Sequence, residues 1–287
     1  MMDRPQKTIL FSLVAVALAG WAAAWAFEQD MMLAMGGADN ALSLAVFTSI
    51  WTVGMAAMMF PAIVPMVSLY NRLVNAGGAG QASISEPPKK TYSGKVMLFV
   101  ACYLVVWALT GVAILLGWSE LMNVSAATAG QSIHYVFATV LVISGIYQFT
   151  PLKNKCLGYC ESPMSFFMRR WSAGTAGAIK MGLYHGLYCL GCCWPYFLLM
   201  VALGWMNLAW MALFAALIFG EKIWSRGIWL ARIAGAGFII AGILAGAEIV
   251  QIDPMNMGSM DEMSMDEIPA DENSAGMSMN TMLLLLS

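Results

Sequence analysis

Apolar residues in this chain do not alternate with polar ones; they run on. Long apolar stretches near residues 8–27, 42–70, 95–117, 133–150, 177–204, 206–222 and 227–249 are separated by short segments that carry nearly all the charge. A stretch of about 20 apolar residues is what a helix needs to cross a bilayer. The pattern therefore predicts an all-α, polytopic transmembrane helix bundle of about seven spans over residues 1–250, followed by a polar tail over 251–287.

Charge sets the expected orientation. Arg4 and Lys7 precede the first run, and the next segment holds Glu28, Asp30 and Asp39 with no base. Arg72, Lys89, Lys90 and Lys95 follow the second run; Lys153, Lys155, Arg169, Arg170 and Lys180 follow the fourth; Lys222, Arg226 and Arg232 flank the sixth. All 14 basic residues thus fall on or beside alternate connections. Bases gather on the cytoplasmic side of membrane proteins, so the N-terminus is expected in the cytoplasm and the tail outside, in a bacterial inner membrane. A cleaved signal peptide ending near Ala24-Trp25-Ala26 is the alternative for the first run. Residues 77–90 read as a cytoplasmic loop, and Pro163–Trp171, with Phe166, Phe167 and Trp171 beside Arg169 and Arg170, as a short helix in the cytoplasmic interface.

Composition sharpens the class. Residues are 60% hydrophobic and only 10% charged, which rules out a water-soluble fold. The lipid bilayer is the first partner. There is no basic, aromatic-studded groove for nucleic acid and no Gly-rich phosphate loop for a nucleotide. The 25 Met and six Cys remain to be explained. Both side chains are soft sulfur donors, suited to Cu(I) and, less well in this mixture, to zinc.

The sulfur is patterned. His185, Cys189, Cys192 and Cys193 recur at i, i+4, i+7 and i+8 in one apolar run, which puts them on one face of a helix. Pro195 cannot donate to the carbonyl of Gly191, so a kink or a freed carbonyl is expected beside the thiols. Met55, Met58 and Met59 form a stripe in the second run, just before Pro61 and Pro65. Met is also a common gap-filler in apolar cores, and the stripe alone does not separate the two uses. Cys156 and Cys160 sit at i, i+4 in the fourth connection, close enough to grip one ion if that connection is helical; a reduced, unligated pair is the alternative. The tail carries Met257, Met260 and Met263 among Asp261, Glu262, Asp266 and Glu267, and is expected to be mobile and to capture metal through thioethers. Met31, Met32 and Met35 add thioethers on the same expected side, and His134 reads as an interfacial residue.

Several motifs occur here in one order: Met58-Met59-x-Pro61-x-x-x-Pro65-Met66, Lys153-x-x-Cys156-Leu-x-x-Cys160-x-x-Pro163, Gly186-Leu-Tyr-Cys189-Leu-Gly-Cys192-Cys193-Trp194, Met206-Asn207-Leu-x-Trp210-Met211 and Glu221-Lys222. In these the chain resembles an uncharacterised bacterial family of predicted metal-binding integral membrane proteins, over residues 42–250. The resemblance implies a metal-binding bundle with Met58, Met59, Cys156, Cys160, Cys189, Cys192 and Cys193 as its characteristic residues.

Four function classes follow. A copper-handling membrane protein, chaperone or route of transit, uses all the sulfur, with a copper protein as client. An accessory subunit of a larger membrane metalloenzyme complex needs only the bundle. A thiol–disulfide oxidoreductase would use Cys189-x-x-Cys192 and leave the Met unexplained. Haem ligation is disfavoured by the presence of only two His. The expectation is a binding protein rather than an enzyme.

Overall fold

The computed structural model describes residues 4–26, 41–76, 94–127, 133–203, 208–224 and 226–247. Met31, Met32, Met35, residues 77–90 and the whole tail, including Met257, Met260 and Met263, lie outside the described residues. Among those described there are nine α-helices and no strand: α1 (Arg4–Ala26), α2 (Ala41–Asn75), α3 (Gly94–Ala127), α4 (Ile133–Tyr147), α5 (Pro151–Glu161), α6 (Pro163–Arg170), α7 (Gly174–Leu203), α8 (Leu208–Ile223) and α9 (Gly227–Gly246). Helix is the expected outcome for apolar runs in lipid, because each helix satisfies its own backbone.

Four of these are long and apolar enough to cross a membrane: Gln6–Ala26, Leu42–Asn75, Gly94–Gly117 and Gly227–Gly246. A fifth span results if Tyr135–Tyr147 and Pro151–Glu161, bent by 65°, count as one broken element. Against the seven runs of the sequence, four or five spans are evident among the described residues. Among the described residues, α7 carries Lys180, His185 and four Tyr or Trp between its apolar residues, and α8 ends in Glu221 and Lys222. These are the helices that carry the polar chemistry described below.

Packing is pairwise: α1 lies along α2, α2 along α3, α3 along α7, and α4 along α9, while α7 also meets α4, α5 and α8. The most apolar window of α2 is 72% buried and that of α9 only 22%, which makes α2 an inner helix and α9 a peripheral one. Helix α6 forms where the Pro163–Trp171 segment predicted one, but it is not simply an interfacial helix. Its Phe166 and Phe167 are fully buried in protein, with Phe167 stacked on Tyr70 of α2 at 5.7 Å between ring centroids, while Met168 is 73% exposed.

In lipid, helices associate through close packing rather than through the hydrophobic effect, so small residues matter at contacts. A Cβ on Gly235 would lie 2.9 Å from the Gly145 carbonyl oxygen and 2.7 Å from Gln148 Cβ, whereas one on Gly237 meets nothing within 4 Å. Gly235→Val should therefore push α9 off α4 and cost about 1–3 kcal/mol. Gly237→Ala on the same helix should be neutral or stabilising by up to about 1 kcal/mol. Thermal unfolding of the two variants in detergent checks this; equal midpoints would rule out a close-packed α4–α9 contact.

Candidate metal centre

The stripe on α7 is buried. Cys189, Cys192 and Cys193 are fully inaccessible and His185 nearly so. Pro195 leaves the helix unbroken but deprives the Gly191 carbonyl of its usual donor, and the Tyr147 hydroxyl of α4 supplies one at 2.5 Å. At the very next residue the Lys153 ammonium donates to the Cys192 carbonyl at 2.6 Å. The freed carbonyl expected from the proline is thus the point at which α4 is tied to the thiol helix.

Helix α5 brings the second pair of cysteines to the first. Thr150, extended at φ −74° and ψ 150°, caps it by accepting from the Lys153 amide at 3.3 Å, and Pro151 starts it. Pro163 follows closely enough to end it. The chain then folds back against α7 instead of lying free as a cytoplasmic connection. Cys160 Sγ comes to 3.7 Å from Cys192 Sγ, which is itself 3.2 Å from Cys193 Sγ. Cys189 also has the thiols of Cys160, Cys192 and Cys193 as neighbours. Cys156 is set against the α7 backbone, where a Cβ on Gly191 would fall 2.8 Å from its sulfur. Glycine at 191 is what lets α5 approach.

Charges hold this arrangement, and they are the functional residues that pattern reading missed. Lys153 is 0% exposed, and its ammonium lies 2.7 Å from the Glu221 carboxylate of α8. The Tyr196 hydroxyl donates to the other oxygen of the same carboxylate. Lys222 turns the opposite way and donates to Cys189 Sγ at 2.9 Å and towards Met59 Sδ at 3.8 Å. The Tyr103 hydroxyl of α3 completes the contact set, 3.3 Å from Cys189 Sγ. Neither lysine stands free in a connection: both are buried, one by a carboxylate and one among sulfurs. Their signal in the sequence was the Glu221-Lys222 pair closing an apolar run, since ionisable residues within such runs mark functional sites.

The methionine stripe divides. Met55, Met58 and Met59 are all buried, and Met59 is tied to this cluster through Lys222. Helices α2 and α7 approach through side chains such as Trp51 and Phe197, whose rings lie 6.2 Å apart. His185 is enclosed by Phe99 at 5.9 Å, Tyr103 at 5.4 Å and Phe166 at 5.8 Å, and neither ring nitrogen has a hydrogen-bond partner. A buried unpaired polar group costs about 1–3 kcal/mol, so this imidazole keeps unused ligand capacity at a price in stability. Cys102 packs on α3 against α7.

The donors suit a soft ion. Two sulfurs bound to one ion at about 2.3 Å each can be at most about 4.6 Å apart. The pairs Cys160–Cys192 and Cys192–Cys193 meet that limit. Among the described residues, no three His, Cys, Asp or Glu side chains already surround a common ion position. Binding an ion here would require thiols that now lie against one another to turn around it.

A helical membrane bundle with a buried thiol cluster on a lysine is the class of protein these observations define. The chain belongs to the copper chaperone family PpoB2, whose model matches residues 48–245 and so spans every element of the cluster. No curated protein and no solved structure matches it.

Removing one partner from a buried ion pair strands the other. Glu221→Gln should cost about 3–5 kcal/mol, and combining it with Lys153→Met should recover most of that loss. Unfolding midpoints of the two single variants and the double variant test this; additive losses would mean that the two residues do not act as a pair.

Proposed function

We propose that this chain binds Cu(I) as cargo in its buried sulfur cluster and delivers it at, or passes it across, a bacterial inner membrane. The observation that supports this most directly is the convergence of thiols from α5 and α7 with a thioether from α2 around one lysine, in a copper chaperone family member. Thiolates bind Cu(I) tightly, whereas thioethers bind it weakly and need no deprotonation. Cys160, Cys189, Cys192 and Cys193 are the proposed tight ligands, with Met59 as the neutral donor and His185 and Cys156 at hand. Met55 and Met58 extend the thioether path along α2. Met257, Met260 and Met263 are the proposed capture site in an extracytoplasmic tail, where thiols would oxidise. A graded ligand set lets the ion exchange from weak to strong donors without being trapped at entry. Seven spans with a cytoplasmic N-terminus complete the proposal, α7 and α8 crossing with their polar faces inward. The 3.7 Å between Cys160 and Cys192 is also what thiol–disulfide chemistry would need. Met59 and the family favour metal.

A Cu(I) competition titration on the purified protein decides between them. Cys192→Ser combined with Cys193→Ser should abolish tight binding, and removal of residues 253–287 should weaken capture at low copper while leaving the core site intact. Equal binding by wild type and the double Ser variant, or binding by neither, would reject the copper function. Orientation is checked separately in intact cells: Ser274→Cys should react with an impermeant thiol reagent and Lys155→Cys should not. The reverse pattern would invert the topology.

A further inference from the structure

Glu221 and Lys222 are neighbours in sequence but do not pair. The Glu221 carboxylate is occupied by Lys153 at 2.7 Å and by the Tyr196 hydroxyl. Lys222 is only 8% exposed, has no carboxylate within ion-pair reach among the described residues, and places its ammonium on Cys189 and Met59. Among the described residues its hydrogen-bond partners are sulfurs. From this placement we infer that Lys222 is a specificity-determining residue: it makes the sulfur site prefer a monovalent ion to a divalent one.

Two physical effects act in the same direction. A fixed cation beside the site repels a bound ion in proportion to that ion's charge, so with the same thiolates a divalent ion is opposed twice as strongly as a monovalent one, and burial amplifies the difference. The ammonium also covers one side of Cys189 and Met59. There it obstructs closing a four-donor tetrahedron, the geometry Zn(II) takes, through these two sulfurs, while Cu(I) needs only two or three donors. Met59 contributes a donor without adding negative charge, so it does not offset the lysine.

This inference rests on the copper function proposed above, and its test separates the two. Full-length protein is titrated with Cu(I) against a chromogenic Cu(I) chelator and with Zn(II) against a fluorescent Zn(II) chelator. Lys222→Met should lower the ratio of Cu(I) to Zn(II) affinity by at least about tenfold, and Lys222→Arg, which keeps the charge, should hold it within roughly threefold of wild type. Lys222→Gln stands in as the neutral variant if the Met variant does not purify as a folded, monodisperse protein. A merely structural lysine would change both affinities together and leave the ratio untouched. An unchanged ratio in the neutral variants, with Cu(I) still bound, overturns the inference and leaves the copper function standing. A wild-type protein that binds no Cu(I) overturns both.

Discussion

The buried pair of Lys153 and Glu221 is the interaction on which the site depends. Placing two charges where neither meets water is costly, and the cost is offset only by close pairing and further hydrogen bonds. Both are present: 2.7 Å between the charges, the Cys192 carbonyl on the ammonium, and Tyr196 on the carboxylate. The pair joins α5, α7 and α8 at one point. It holds α5 against α7, and Cys160 reaches the thiols only because α5 is held there.

Because Glu221 is neutralised from one side, Lys222 is left for the other. Two adjacent residues on α8 thus serve two environments, one purely structural and one made of sulfur. Tyr103 and Tyr196 extend the same division, the first on a thiol and the second on the carboxylate. The result is a cluster whose donors come from α2, α5 and α7 but whose charge is set from α8.

Much of the bundle was legible in the chain because lipid makes long apolar runs helical almost without exception. The α7 stripe was legible too: its spacing is local, and a helix converts spacing directly into a shared face. The consequence of Pro195 could be deduced for the same reason, although not that Tyr147 would answer it. Residues whose role depends on a distant partner were not legible. A lysine at position 153 looks like any loop lysine until the chain turns by 65° and Glu221 is found 2.7 Å away. Met55 and Met59 are equivalent on a helical wheel, and only the approach of α8 distinguishes them. Phe166 and Phe167 beside two arginines suggested a membrane surface, because nothing local told lipid from the rings of Tyr70 and His185.

Gly191 has two distinct duties. Its missing side chain admits the Cys156 sulfur, and its carbonyl, released by Pro195, receives the Tyr147 hydroxyl. Neither duty can be changed by itself. A side chain at 191 requires a smaller residue at 156 or a displaced α5; a residue with an amide hydrogen at 195 makes the tyrosine hydroxyl share the carbonyl with a second donor. Positions 191 and 156 are therefore coupled through the space a side chain would need, and positions 195 and 147 through a backbone carbonyl.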